Sequence, residues 1–199
     1  MKKYIIKKVN NSFDWDSIPK LEVSEIMWLK DAGIRMSQQI CYDSEAIYVH
    51  QVALENNIRA EEKDFLSAVC NDSCMEFFFD FECDGRYFNF EINPIGTIYL
   101  GFGKERATRL RIIDKNPAEH FSIKTTHTLS GWDVYYKIPL TFVRLFYPEY
   151  QFVSGKSFKA NCYKCGDKTD TPHYLAWNTL SSDTPDFHRA IDFGIMTFE

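Results

Sequence analysis

Residues 72–96, DSCMEFFFDFECDGRYFNFEINPIG, contain two runs in which aromatic and polar residues alternate. Between the runs lies Asp84-Gly85, a dipeptide typical of the two-residue turn of a β-hairpin. A turn at this dipeptide would place Phe81 opposite Phe88, with further pairs following outward along both strands. The stretch therefore predicts two antiparallel strands and indicates an all-β fold.

The predicted register divides the side chains of the hairpin between two faces. The apolar face is predicted to be buried and consists of Phe77, Phe79, Phe81, Phe88, Phe90 and Ile92. The polar face consists of Glu76, Phe78, Asp80, Glu82, Tyr87, Asn89, Glu91 and Asn93. Two interpretations of the polar face are open, an ordinary solvated surface or a ligand-binding surface built from carboxylates, amides and rings.

The composition agrees with one all-β domain over residues 1–199. Of the 199 residues, 45% are apolar, which is enough for one substantial core. Aromatic residues make up 16% of the chain, and short alternating runs recur along it at near-regular spacing. This pattern predicts an antiparallel β-sandwich with one short helix, bounded by Pro139 and Pro148.

Charge and hydropathy argue against two kinds of partner. The chain has 28 acidic and 23 basic residues, and this net charge of −5 opposes binding to nucleic acid. No run is long and apolar enough to cross a membrane, so no membrane partner is expected. The basic start, MKKYIIKK, lacks the apolar core of a secretory signal. A cytoplasmic location is predicted, in which the six cysteines stay reduced.

One cysteine pair has a spacing used by zinc sites. Cys162 and Cys165 form a Cys-x-x-Cys-Gly stretch, and Cys70 with Cys74 could supply a second pair. A structural zinc site needs four convergent ligands, and the second pair is separated by three residues instead of two. Reduced structural thiols are the favoured interpretation, and the identity of any metal is left open.

The usual signals of enzymes are missing from the sequence. It contains no His-x-x-x-His pair, no Gly-x-Ser-x-Gly elbow and no phosphate-binding glycine loop. The best enzymatic alternative is a carboxylate pair, because Asp80 and Glu91 are diagonal neighbours in the predicted register. Diagonal Cβ atoms lie about 7–8 Å apart or somewhat less, which allows the carboxyl spacing of a retaining glycoside hydrolase. Carboxylates on an exposed sheet face are common, so this alternative is the weaker one.

Four separate motifs resemble those of carbohydrate-binding modules of family 9. They are DSCMEFFFDF, RYFNFEINPIGTIYLGFG, FKANCYKCGDKT, and HYLAWN with TPDFHRAIDFG. The resemblance implies an immunoglobulin-like or jelly-roll β-sandwich that binds a saccharide without cleaving it. It also implies a link to carbohydrate catabolism, with a carbohydrate-active enzyme as a partner. Relatives in the wider group bind calcium structurally, so a structural calcium is an expectation, and no other cofactor is implied.

The resemblance further implies a set of contact residues. In sugar-binding relatives two aromatic rings clamp the saccharide, and polar residues of the central strands hydrogen-bond to it. The expected contact residues in this chain are Trp177, Asn89, Glu91, Arg86 and Asn93. Trp177 corresponds to the later of the two clamp rings. The loop before the hairpin, where the other ring is expected, contains Phe65 but no tryptophan.

Three functional classes are therefore open. A non-catalytic carbohydrate-binding domain would recognise a small saccharide or glycan end by stacking and polar contacts. A glycoside hydrolase would depend on Asp80 or Glu91, and a protein-interaction scaffold would have lost sugar binding altogether. The feature that separates these classes is whether Trp177 is exposed beside a pocket lined by Asn89 and Glu91.

Overall fold

The computed structural model describes residues 1–10, 12–65 and 67–199, which form fourteen strands and two four-residue helices. The strands are β1 (Lys3–Lys8), β2 (Lys20–Val23), β3 (Glu25–Ile26), β4 (Arg35–Tyr42), β5 (Ala46–Leu54), β6 (Cys74–Asp80), β7 (Tyr87–Ile92), β8 (Ile98–Gly103), β9 (Leu110–Ile112), β10 (Lys124–Thr128), β11 (Gly131–Pro139), β12 (Ser157–Cys165), β13 (Tyr174–Ala176) and β14 (Gly194–Phe198). The helices are α1 (Pro117–His120) and α2 (Leu140–Val143). Within the described ranges, no helix has the length and apolar character needed to cross a bilayer.

The strands form two facing sheets that share β1. The pocket sheet has the order β14-β12-β6-β7-β8-β9, with β13 and β3 beside β12, and the back sheet has the order β10-β11-β5-β4, with β2 beside β4. The first four residues of β1 pair with β14, and its last two residues pair with β4. Because β1 belongs to both sheets, the strands form one continuous curled sheet. Its two halves face each other and form the sandwich.

The predicted β-sandwich is confirmed, with two differences in detail. Both pairings of β1 are parallel, whereas the other strand pairs of the described residues are antiparallel as predicted. Helix α2 lies in the segment for which a short helix is predicted, and α1 is an additional single turn. Pro139 stands directly before α2, where its missing N–H group costs the helix no hydrogen bond.

The main core lies between the two sheets. The six hairpin side chains predicted to be buried are each at most 1% exposed. They meet the alternate residues of β11 that point inward, and the ring of Phe90 stacks on Tyr136 with 6.1 Å between centroids. The period-two pattern of β11 and of the hairpin therefore identifies the inward faces of both sheets correctly.

The predicted register of the hairpin is wrong by two residues. Phe79 pairs with Phe88, because β6 ends at Asp80 and the connection runs through residues 81–86. The carboxylate of Asp80 accepts hydrogen bonds from the backbone N–H groups of Asp84 at 3.3 Å and Gly85 at 2.8 Å, which holds a wider loop than a two-residue turn. Since the shift is an even number of residues, every side chain stays on its predicted face.

The polar face of the hairpin is also covered, so its interpretation as an ordinary solvated surface is wrong. Glu76, Asp80, Asn89, Glu91 and Asn93 are each at most 5% exposed. A second apolar cluster on this side of the pocket sheet draws side chains from distant loops, and its members include Met27, Val69, Phe78, Tyr87, Tyr163, Leu180, Phe187 and Phe193. The central strands of the pocket sheet are therefore buried on both faces.

The structure buries Trp177, and the prediction of an exposed clamp ring at this position is wrong. Its side chain is only 4% exposed and belongs to the main core. A Cβ atom at Gly194 would lie 2.5 Å from the Trp177 ring, so the ring packs directly against that glycine. The backbone N–H of Trp177 donates to the carbonyl of Cys162 at 2.9 Å, which continues the β13 pairing and directs the side chain inward.

We expect Trp177→Ala to lower the free energy of unfolding by about 3–5 kcal/mol, because it removes a large ring from a packed core. Urea denaturation of the wild type and the variant measures this difference. Trp15→Ala is the matched control and should cost clearly less, since Trp15 is half-buried on the outer face of the back sheet. Equal losses in the two variants would contradict the core assignment of Trp177.

Candidate functional site

A pocket of about 180 Å³ opens over the outer face of the pocket sheet. Its floor is formed by Glu76 on β6, Glu91 on β7 and Cys165 on β12. Strand β13 lies on one side of these three strands and β8 on the other, so each contributes one wall. The floor is acidic and buried, whereas both walls carry aromatic side chains.

The wall beside β13 is an aromatic cluster centred on Trp28. The Trp28 ring contacts Tyr174 with 5.4 Å between centroids and Phe187 with 5.5 Å. Its Nε1–H donates to the carbonyl of Ser182 at 2.7 Å. The backbone of Trp28 has a φ of +55°, a left-handed conformation that is costly for a bulky residue and that recurs at ligand-binding positions. The hydrogen bond and the two ring contacts hold this half-buried ring at the edge of the pocket.

The opposite wall combines a tyrosine with arginines. The guanidinium carbons of Arg111 and Arg109 lie 3.9 and 5.1 Å from the ring centroid of Tyr99, which is the geometry of a cation–π contact. Arg106 also lines this side of the pocket. In the part of the chain that the structure describes, none of the three arginines forms an ion pair with a carboxylate. This wall therefore presents positive charge that no acidic side chain neutralises by direct contact.

Two polar atoms beside this wall have no hydrogen-bond partner among the described residues. They are Nε of Arg109 and Oδ1 of Asn89, and both are buried. A Cβ atom at Gly101 would lie 2.3 Å from Asn89 Oδ1 and 3.0 Å from Arg109 Nε, so only a glycine lets these groups approach the sheet. Buried donors and acceptors without a partner are costly and are rare in folded proteins.

The floor contains a pair of facing carboxyl groups. Glu76 and Glu91 are directly opposite each other on β6 and β7. Asn89 Nδ2 donates to Glu91 Oε1 at 2.8 Å, and the Cys165 thiol donates to Glu76 Oε1 at 3.0 Å. Burial raises the pKa of Glu91 to about 7, against the lowering effect of Arg109. Burial and the neighbouring Glu91 raise the pKa of Glu76 well above its ordinary value. Burial therefore favours the protonated form of both carboxyl groups.

Of the residues predicted to contact a ligand, only Glu91 lines the pocket. Asn89 lies beneath it as the donor to Glu91. Arg86 lies in the connection between β6 and β7, where its Nε donates to Asp84 at 2.7 Å and its guanidinium lies over Tyr147. These positions contradict the prediction of one common site that includes Arg86 and the buried Trp177.

Asn93 also lies outside the pocket and has a structural role. Its Nδ2 donates to Asp72 Oδ2 at 2.9 Å and to the Glu62 carbonyl at 2.8 Å, and its Oδ1 accepts from the backbone N–H of Thr97 at 2.9 Å. These bonds tie the loop before β6 to the turn before β8. The Asn93 side chain has no free N–H group to donate to a saccharide. The prediction that Asn93 contacts the ligand is therefore wrong as well.

The proposed catalytic pair of Asp80 and Glu91 does not exist. With the observed register Glu76 faces Glu91, and Asp80 lies four residues farther along β6, a displacement of about 13 Å at about 3.3 Å per residue. The Asp80 carboxylate is also occupied by the loop amides described above. The geometry of a retaining glycoside hydrolase is therefore absent from these two residues.

The Cys-x-x-Cys stretch does not form a zinc knuckle. Cys162 and Cys165 are three residues apart on β12, so alternation sends their side chains to opposite faces of the sheet. Cys162 belongs to the main core and Cys165 to the pocket floor. All six cysteines are free thiols.

Calcium does not fit the one convergent group of potential ligands found among the described residues. That group consists of Cys74, Glu76 and Cys165. Calcium requires six to eight oxygen ligands, and two of these three groups are thiols. The structural calcium expected from the wider group of relatives stays a prediction.

Sequence reasoning missed most of the pocket residues. Trp28, Tyr99, Arg109 and His188 come from four separate parts of the chain. Tyr99 carried one usable signal, since it alternates with the buried Ile98 and Leu100 and so points to the polar side of the sheet. No local pattern marks the other three, because long-range packing of the loops brings them to the pocket.

Comparisons with known proteins agree on one family. The sequence model described as carbohydrate-binding family 9 matches residues 7–198. A protein from Bacteroides uniformis, named as a "putative carbohydrate-binding protein", has a similar structure with a TM-score of 0.81 and 27% sequence identity, covering 100% of this chain and 99% of that chain. No curated protein matched the chain.

Two structures of family 9 modules from Caldicellulosiruptor kristjanssonii share the fold at low sequence identity. One, in complex with glucose, has a TM-score of 0.71 and 12% identity, covering 100% of this chain and 96% of that chain. The other, in complex with cellotriose, has a TM-score of 0.71 and 11% identity, covering 100% of this chain and 94% of that chain.

The raised pKa of Glu91 predicts how stability depends on pH. The folded protein holds the Glu91 proton more tightly than the unfolded chain does, so stability falls as the pH rises from the ordinary pKa of 4.5 to about 7. Glu91→Gln keeps an acceptor for Asn89 and removes this penalty. We expect the variant to be more stable than the wild type at pH 8, by on the order of 3 kcal/mol, with little difference at pH 4.

Urea unfolding of both proteins at the two pH values measures this effect. Glu149→Gln is the control, because Glu149 is exposed and makes no ion pair with a described residue. An equal difference between wild type and Glu91→Gln at pH 4 and pH 8 would show that Glu91 does not hold a proton at neutral pH.

Proposed function

The chain belongs to carbohydrate-binding family 9 and is a non-catalytic carbohydrate-binding domain, and we propose that it binds a small saccharide or the end of a glycan in the pocket over the pocket sheet. The observation that carries this proposal is the combination of an aromatic wall, an arginine wall and a partly protonated carboxyl floor around one cavity. The saccharide-bound family 9 modules described above support a saccharide as the ligand class.

The polar groups of the pocket match the hydrogen-bonding needs of a sugar. Each hydroxyl group of a saccharide donates one hydrogen bond and accepts others, so its site must offer both donors and acceptors. A carboxyl pair that holds a proton offers both, and the guanidinium groups of Arg106 and Arg109, which line the pocket, are further donors. Charged partners also make hydrogen bonds that are stronger than those between neutral groups.

Stacking is assigned to Trp28, in place of the buried Trp177. A pyranose ring has an apolar face that packs well on an aromatic ring. Trp28 is half-buried at the rim of the pocket, and its neighbours hold it in position before any ligand arrives. Such preorganisation reduces the entropy lost on binding.

The size of the pocket favours one sugar ring. Pockets for drug-sized ligands have volumes of about 300–1,000 Å³, and this pocket has about 180 Å³. A single ring or the terminal unit of a chain suits this volume, with any further units extending into solvent.

A role in carbohydrate catabolism, a carbohydrate-active enzyme as partner and a cytoplasmic location stay predictions. Co-purification from the native cells, with and without competing saccharide, would test the predicted enzyme partner. Cell fractionation would test the location.

We expect Arg109→Ala and Trp28→Ala each to weaken saccharide binding at least tenfold, because one removes a buried donor and the other removes the stacking surface. The affinity is measured by calorimetry with glucose and cellotriose, followed by a wider panel of monosaccharides and oligosaccharides.

Two matched controls distinguish the pocket from the rest of the surface. Arg86→Ala removes an arginine that lies against other aromatic rings outside the pocket, and Trp15→Ala removes a half-buried tryptophan on the back sheet. Both should retain wild-type affinity. If a folded wild type bound no saccharide of the panel, the scaffold alternative would replace the proposal, and if the controls lost as much affinity as the pocket variants, the site would lie elsewhere.

A further inference from the structure

Two thiols and a carboxyl group converge at the floor of the pocket. Cys74 on β6 and Cys165 on β12 are directly opposite each other, and Glu76 follows Cys74 by two residues on the same face. One potential ligand atom of each lies within 4.8 Å of the other two, and all three side chains are buried. The Cys165 Sγ and Glu76 Oε1 atoms are 3.0 Å apart.

We propose that Cys74, Glu76 and Cys165 bind a divalent cation that prefers thiolate ligands, and that Zn²⁺ is this cation. A tetrahedral site with zinc–sulfur distances of about 2.3 Å and zinc–oxygen distances of about 2.0 Å needs ligand atoms about 3.5–3.8 Å apart. The three ligand atoms lie within 4.8 Å of one another, so their separations need to change by only about 1 Å.

The ligand types select the ion. Thiolates bind zinc and similar soft cations, whereas calcium and magnesium require oxygen ligands. Two thiolates and one carboxylate carry three negative charges against the two positive charges of the ion. The net charge of the occupied site is therefore −1, and the buried Lys164 ammonium does not compensate it by direct contact, because it forms an ion pair with Glu55 at 3.1 Å.

The site is accessible, and its fourth position faces the pocket. Glu76 and Cys165 both line the cavity, so an ion reaches them without opening the sheet. Cys70 lines the cavity as well, and its carbonyl lies 3.6 Å from Cys165 Sγ. The fourth ligand is therefore the Cys70 thiol or a water molecule, as in zinc sites that keep one open position.

Without an ion the two cysteines hold their protons. Burial raises the pKa of Cys74 to about 12. A hydrogen bond with Cys74 and burial raise the pKa of Cys165 well above its ordinary value. Metal binding releases the protons that its ligands hold, so the affinity should rise with pH. This dependence distinguishes the thiol site from a surface site of carboxylates, which would show no such dependence at neutral pH.

Titration of the tag-free, reduced protein with Co²⁺, in the absence of saccharide, tests the proposal independently of the proposed function. We expect one Co²⁺ per chain, an intense sulfur-to-cobalt charge-transfer absorption and loss of this absorption when Zn²⁺ is added. A wild type that gives no such absorption at pH 8 would overturn the proposal, whether or not the protein binds sugar.

Variants identify the ligands. Cys74→Ser and Cys165→Ser should each weaken cobalt binding at least 100-fold and abolish or sharply reduce the charge-transfer absorption. Cys162→Ser is the matched control, because Cys162 is a buried thiol of the same strand that faces the main core, and it should bind as the wild type does. Equal losses in Cys162→Ser and Cys165→Ser, or retained binding in Cys165→Ser, would refute the assignment.

Alkylation of the wild type covers the case in which a variant fails to fold. Zn²⁺ should protect Cys165 from a small alkylating reagent at least tenfold, as read by mass spectrometry, and should leave the exposed Cys83 unprotected. Absence of protection at Cys165 in a sample with Zn²⁺ would count against the site. Loss of cobalt affinity in Cys70→Ser would assign the fourth ligand to Cys70, and unchanged affinity would assign it to water, both within the proposed site.

Discussion

The burial of β6 and β7 on both faces is the constraint on which the rest of the structure depends. Their period-two alternation sends phenylalanines to the main core and Glu76 and Glu91 to the opposite side. Carboxyl groups buried in this way are tolerated only when hydrogen bonds, protonation or charged neighbours compensate them. Asn89, Cys165 and the arginine wall supply this compensation, so the chemistry of the pocket follows from the way the sheet is covered.

The loops that cover the polar face build the pocket because they cover it incompletely. The loop before β6 is held by the buried carboxylate of Asp72, which accepts from Asn93 and from the backbone N–H groups of Glu61 and Glu62. On the other side, Tyr163 stacks on Phe187 with 4.1 Å between centroids and anchors the loop after β13. Between these two anchored loops a pocket remains, and the carboxyl pair and Cys165 form its floor. The same opening is the route by which the proposed saccharide and the proposed metal ion would reach the floor.

Some features of the site were visible in the sequence and others were not. Alternation alone placed Glu91 and Asn89 on the polar face, because it depends only on neighbouring residues of one strand. The register was wrong because Asp80 binds the amides of the loop and lengthens the connection, which a dipeptide signal does not reveal. The family resemblance placed Trp177 at the surface, and its burial was missed because it depends on contact with Gly194, a residue 17 positions away.

By itself the sequence determined the strands, the inward apolar face of the hairpin and the family, since all three depend on local alternation or on motifs within single segments. Only the tertiary structure decided the register of the hairpin and placed Cys165 opposite Cys74 instead of beside Cys162. It also decided that Trp28, and not Trp177, lines the pocket. The physical reason is that strand periodicity acts over two residues. The covering of a sheet face instead depends on which distant loops pack there, and this packing energy belongs to no single segment of the chain.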